Sequence, residues 1–152
     1  MERHLEDEST KLVTFVLGDE EFAFDILYVK EIMRVCEITK VPKSKEFIEG
    51  VINLRGNVIP IIDLRKRFNM EPRPYTRTTR IIVLEIDDIT VGAIVDAVME
   101  TKQISNSCIE PPSSIVVGGM EVECIAGVAK LEDRLISLLH VDKIISFYEH
   151  EG

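Results

Sequence analysis

Apolar and polar residues alternate along this chain in short runs, and the runs come in pairs. Residues 11–17 and 21–26 flank Gly18-Asp19-Glu20, with Val13, Phe15 and Leu17 on one face and Phe22 and Phe24 continuing it on the return. That pattern predicts a β-hairpin. Asp25 is placed to cap a short helix, and Ile26, Val29, Ile32 and Met33 follow at helical spacing. Residues 35–41 read as a strand stopped by Pro42, and a polar loop runs on through Lys45. A second hairpin covers 48–68. Gly56-Asn57 offers the positive-φ pair of a type I′ turn, in a register where Leu54 faces Ile59 and Ile52 faces Ile61. Pro60 cannot donate to a ladder, which points to an edge or a bulge there.

The second half of the chain repeats this order. After a connector at 69–79, residues 80–86 and 89–95 flank Asp87-Asp88 as a third hairpin. A second connector spans 105–119, with Gly118-Gly119 as a turn. The closing hairpin covers 124–139, and a short helix follows around 142–147 with Ile144, Ile145 and Tyr148 inward. Ile48, Gly50, Val51, Leu54 and Ile59 align without a gap on Ile125, Gly127, Val128, Leu131 and Ile136. Val13, Phe15, Leu17, Phe22, Val29 and Glu31 align on Ile82, Leu84, Ile86, Val91, Val98 and Glu100. Each half reads hairpin, crossover, hairpin, which predicts a duplicated mainly β protein of two small barrels packed together. The copies differ at one hairpin tip, Arg55-Gly56 against Glu132-Asp133.

Composition narrows the function. A 152-residue chain that is 45% hydrophobic and 30% charged is expected to fold around a real core. Its formal charge of −9 argues against nucleic-acid binding and against docking on anionic lipid. The first ten residues are acidic, are read as a flexible terminus, and contain no apolar run of the kind found in a signal peptide. No apolar stretch is long enough to span a bilayer, so membrane insertion is not expected. Cys36, Cys108 and Cys124 form no C-x-x-C pair, and His4, His140 and His150 lie far apart, so neither a metal site nor a disulfide framework is expected. These features together predict a cytoplasmic protein.

No nucleophile motif, phosphate-cradling loop or H-E-x-x-H is present. The paired acids lie in turns, where Asp and Glu normally serve as solvated turn formers. Arg55 has two readings: a solvated hairpin arginine, or a planar fork of donors for a partner carboxylate or carbonyl. Glu31 reads as solvent-facing. The apolar Ile26, Val29 and Ile32 read as core packing, or in part as surface left for a partner helix.

The segments G-D-E-E-F-A-F-D-I (18–26), V-K-E-I (29–32), V-P-K-S (41–44) and F-I-E-G-V-I-N-L-R-G-N-V-I-P-I-I-D-L-R (47–65) resemble the CheW-like chemotaxis coupling proteins. The resemblance covers nearly the whole chain, as one domain over 11–149 made of subdomains at roughly 11–70 and 78–148, with exchange of elements between them left open. It implies two intertwined five-stranded SH3-like β-barrels with a few short helices. It also implies a non-enzymatic adaptor without cofactors, joining the regulatory domain of a CheA-type histidine kinase to the cytoplasmic tips of methyl-accepting chemotaxis receptors. Val29, Glu31, Gly50 and Arg55 match receptor-side positions, with Val13, Ile26 and Ile32 as apolar groove lining; kinase contacts are not placed. Where the family pattern is L-L-D-V-D-K, this chain has His140, and the aligned residue of the first copy is Asp63, so capping by this side chain is in question. A related kinase pathway such as surface motility, and more remotely a small hydrolase assembled from distant residues, stand as alternatives.

Overall fold

The computed structural model describes residues 8–112 and 124–146, and strands dominate them. The first hairpin is β1 (Ser9–Leu17) and β2 (Glu20–Asp25), paired with Phe15 opposite Phe22 and Val13 opposite Phe24. β1 begins two residues before the predicted start, inside the stretch read as a flexible terminus; residues 1–7 lie outside the described residues. Asp25 does act as a cap, its carboxylate accepting from Leu27 N at 3.0 Å. The cap serves a single 3₁₀ turn, Ile26–Tyr28, and the predicted helix ends there. Residues Val29–Arg34 form a strand, β3, along one edge of β6. The apolar spacing fitted either period. Pairing with β6 decided it, because a three-residue turn cannot bury a stripe but a strand can satisfy its backbone on a neighbour.

The predicted strand at 35–41 reduces to one bridge, Thr39 with Val51. β4 (Ile48–Leu54) and β5 (Asn57–Asp63) then form the second hairpin. Its turn is Arg55-Gly56, one residue earlier than predicted, and Ile52 faces Ile59. Arg55 and Gly56 both carry positive φ, 52° and 88°, and the Asn53 side-chain oxygen accepts from Gly56 N at 3.0 Å. Helix α1 (Leu64–Arg67) follows. β6 (Arg80–Ile86) and β7 (Ile89–Val95) form the third hairpin around Asp87-Asp88, as predicted. The crossover after it is a nine-residue strand, β8 (Ala97–Ser105). The second connector is partly structured, holding a 3₁₀ turn (Asn106–Cys108) and a two-residue strand, β9 (Ile109–Glu110). β10 (Ile125–Leu131), β11 (Arg134–Leu139) and helix α2 (Val141–Ile144) close the fold. Ile144 and Ile145 are buried as predicted, whereas Gly118-Gly119 and Tyr148 lie outside the described residues.

The strands form two sheets, ordered β8-β1-β2-β11-β10-β9 and β3-β6-β7-β5-β4. One has the expected five strands; the other gains a sixth from β9. Each sheet takes strands from both halves of the chain. The hairpin β4–β5 joins its sheet through β5, parallel to β7, and β10–β11 joins through β11, parallel to β2. The duplication extends to irregularities: β4 bulges between Ile48 and Gly50, and β10 between Ile125 and Gly127.

The core is layered accordingly. Phe15, Leu17, Phe22 and Phe24 of the first sheet pack in one core with Ile62, Ile82 and Leu84 of the second and with Leu64 of α1. The Phe15 ring lies 4.9 Å from Phe24 and 5.8 Å from Phe22. Ile81, Val83, Ile52, Ile59 and Ile61 fill the far face of the second sheet, and Leu12, Ala23, Ala129 and Ile136 that of the first. Strands buried on both faces read as unbroken apolar runs, which is why I-I-V-L carries no alternation. Polar contacts also cross between the layers, among them Arg67 of α1 to Cys124 Sγ at 3.6 Å. Arg65 of α1, 5% exposed, directs its fork at both oxygens of Asp96, at 2.9 and 2.5 Å, where the chain passes from β7 to β8.

Candidate functional site

Arg55 and Glu31 meet. The guanidinium donates to both carboxylate oxygens of Glu31, at 2.5 and 3.1 Å. Glu31 lies on the edge strand β3, and Arg55 at the tip joining β4 to β5, at the opposite edge of the same sheet. The ion pair therefore ties the first strand of the order to the last hairpin and closes the seam of a barrel. Arg55 holds the Glu31 carboxyl below its ordinary range through that hydrogen bond, against some desolvation. Arg55 borders a cleft of about 340 Å³ lined also by Lys30, Leu54, Ile59, Glu85 and Asp88.

The other barrel repeats this clamp with an arginine from a different position. Arg134 donates to Glu100 at 3.1 Å and, through a very short contact, to Glu21. Glu100 is the repeat partner of Glu31, and each follows a bulged residue of its crossover strand, Lys30 in β3 and Met99 in β8. The bulge re-aims the glutamate towards the hairpin tip. In the second barrel the Thr14 hydroxyl secures it, donating to Glu100 O at 3.0 Å and accepting from Glu100 N at 3.2 Å. The tips thus differ in where the arginine stands, as the first residue of the turn at Arg55 or as the first residue after it at Arg134. Comparing Arg55-Gly56 with Glu132-Asp133 alone hid this. The Glu31/Glu100 match in the repeat was the signal that could have revealed it. The two arginines are not equal in exposure: the Arg55 side chain is 67% exposed and that of Arg134 37%.

The remaining predicted residues divide. Val29 is half-buried against the shared core, and Ile26 is half-buried in the 3₁₀ turn, where its neighbour Leu27 is 82% exposed. Ile32 is 41% exposed and alternates with Glu31 on β3, so it faces away from the clamp. Val13 is 2% exposed, in the other sheet, between Phe24 and Thr101. Gly50 is buried with φ of 149°, and a Cβ there would sit 2.1 Å from Thr39 O. The structure thus joins Glu31 to Arg55 with Val29 and Ile32 on the same strand, and leaves Val13 and Gly50 without a surface side chain. Val58, 65% exposed just past the turn, was not singled out in the sequence.

Among the described residues no group of His, Cys, Asp and Glu could hold a metal ion, and no helix is long and apolar enough to cross a membrane. His140 precedes α2 without a side-chain capping bond, its Nδ1 3.6 Å from Asp142, while Asp63 caps α1 through Arg65 N at 2.9 Å. The doubt over capping by His140 is borne out.

A CheW-like domain family model matches residues 11–149. The chain belongs to the CheW-like family. It is 34% identical over 139 residues to the chemotaxis protein CheW of Klebsiella aerogenes, covering 91% of this chain and 83% of that protein. It is 36% identical over 135 residues to the chemotaxis protein CheW of Bacillus subtilis, covering 89% and 86%. The crystal structure of the scaffolding protein TtCheW from Thermoanaerobacter tengcongensis superposes with a TM-score of 0.84 at 39% identity, covering 90% of this chain and 92% of that one. As a CheW-like chain it is a chemotaxis scaffold and not an enzyme.

Proposed function

We propose that this chain is a cytoplasmic adaptor that couples the cytoplasmic tips of methyl-accepting chemotaxis receptors to the regulatory domain of a CheA-type histidine kinase. The observation that carries this reading is the exposed Arg55–Glu31 clamp beside an open cleft, in a fold that belongs to chemotaxis scaffolds. Arg55 offers remaining donors to a partner while Glu31 fixes its fork, so little side-chain entropy is left to lose on binding. Ile32, 41% exposed on the opposite face of β3 from Glu31, offers apolar surface of the kind that receives one face of a helix, with the half-buried Val29 on the same strand. Gly50 supports the same surface from within by letting Thr39 lie against β4, whereas Val13, buried in the other sheet, has no exposed side chain to offer a partner. Two separate surfaces of modest affinity, one for each partner, gain strength through avidity when both partners sit in one receptor array at the membrane.

Calorimetric titration tests both arms. The isolated CheW-like regulatory domain of a CheA kinase from the same cell binds one-to-one at micromolar or tighter affinity. A receptor helical hairpin also binds, and Arg55→Ala weakens that binding by about tenfold or more while the variant keeps its circular dichroism spectrum. Unchanged receptor affinity in a folded Arg55→Ala protein removes Arg55 from the interface. Absence of kinase binding removes the adaptor role.

A further inference from the structure

Arg65 and Asp96 form a salt bridge where the two sheets meet, and its oxygens and nitrogens are met by further partners on both sides. Arg65 Nε and Nη2 reach the two oxygens of Asp96, and Nη1 donates to Glu71 O at 2.9 Å. Asp96 Oδ2 also accepts from Gly18 N at 2.7 Å, in the β1–β2 turn of the other sheet. The Asp96 backbone is held as well, its N–H donating to Val16 O and its carbonyl accepting from Thr78 Oγ1. Four segments converge here: α1 leaving the β4–β5 hairpin, the β1–β2 turn, the chain before β6, and the passage from β7 to β8.

Adhesion between the sheets does not need this pair, because the phenylalanine and isoleucine layer already supplies it. An apolar layer is indifferent to small rotations of one sheet on the other, and a buried ion pair contributes little net stability over an apolar replacement. A fork meeting two carboxylate oxygens in parallel is directional. We propose that the Arg65–Asp96 pair is a positioning device that sets the angle between the two barrels, and with it the relative placement of surfaces on either side.

The inference can be tested on the protein alone, without any partner. Spin labels are placed at Val58→Cys and Leu135→Cys, exposed positions on different sheets, with Cys36 and Cys108 replaced by serine. Pulsed electron resonance then reads the distance distribution between barrels. The parent protein gives one narrow peak. Arg65→Lys keeps the charge but loses the fork, and Asp96→Asn keeps the shape and the acceptor for Gly18 N but loses the paired charge. Both are expected to lose the narrow peak and give a broadened or shifted distribution with an unchanged circular dichroism spectrum. A parent-like peak in either folded variant overturns the proposal. Loss of the folded state in both overturns it too, since the pair would then be needed for folding and not for the angle.

Discussion

Replacing Gly50 by alanine probes the tightest point of the first barrel. A Cβ at Gly50 would lie 2.1 Å from Thr39 O and 2.7 Å from Thr39 C, where ordinary contact begins near 3.4 Å. Both clashing atoms are backbone, so no side chain can swing aside, and Thr39 must retreat by more than about 1 Å. That retreat breaks the two hydrogen bonds holding Thr39 to Val51, at 2.9 and 2.8 Å. Two net hydrogen bonds contribute about 2 kcal/mol, and the positive φ adds about 1–2 kcal/mol for a residue with a Cβ. The expected loss is therefore about 3–4 kcal/mol. Gly127 provides an internal control. Its Cβ would meet the Ile109 Cγ2 methyl at 2.6 Å, while the nearest backbone atom, Glu110 O, is 3.2 Å away. Ile109 can rotate, so Gly127→Ala costs about 1 kcal/mol. Urea unfolding followed by circular dichroism measures both. Equal losses in the two variants, or a loss below about 1 kcal/mol for Gly50→Ala, would refute the steric argument. If Gly50 serves partner binding only through the fold, receptor affinity per folded molecule changes only as far as Thr39 is displaced.

The two clamps make a second comparison: Arg134→Ala lowers the unfolding midpoint more than Arg55→Ala, because Arg134 holds two carboxylates and is less exposed. Both losses shrink at high salt, and a larger loss for Arg55→Ala would contradict the assignment. His140→Asp places a capping carboxylate where the backbone already has the extended geometry of Asp63, and it stabilises the protein by about 0.5–1 kcal/mol in urea unfolding. Acid titration carries a sign that can be checked. Glu31 is lowered by Arg55, so its stabilisation is present above its ordinary value of 4.5 and disappears as pH falls through its folded value. Asp63, raised mainly by burial, acts oppositely, its contribution present below 3.8 and lost as pH rises through its folded value. Glu31→Gln therefore flattens the acid limb of stability against pH, whereas Asp63→Asn, which keeps the cap, steepens it.

The hairpins, their apolar faces and the duplication were legible because each rests on local alternation and turn residues. The strand β3 was not, since Asp25 caps a turn in either case and Val29, Ile32 and Met33 fit two periods; pairing with β6 is nonlocal. The one-residue error in the β4–β5 turn has a local cause. A Gly-Asn pair offered a familiar turn, but Asn53 captures Gly56 N and places Arg55 in the left-handed region. The Gly50/Gly127 match proved to mark where another segment passes close to a bulge, Thr39 in one copy and β9 in the other. At the site, Arg55 was found from the disagreement between copies. Its partner Glu31 was placed in solvent because nothing in the sequence says that the two edges of a curled sheet meet. Val13 was taken from the resemblance and lies in the interior, where its alternation with Phe15 and Leu17 had already placed it.

The exchange of hairpins between sheets also bears on how the chain is made. β2 leaves the ribosome well before its parallel partner β11, which lies more than a hundred residues later, with Glu21 opposite Ile136. Until that segment emerges, one edge of a strand carrying Phe22, Ala23 and Phe24 has no partner in its own sheet. Such an edge is a template for pairing with another nascent chain. Synthesis that stops short of Arg134 leaves the first sheet open and deprives Glu21 and Glu100 of their arginine. The β10–β11 hairpin, translated after β1, β2 and β8, is thus the piece that completes their sheet.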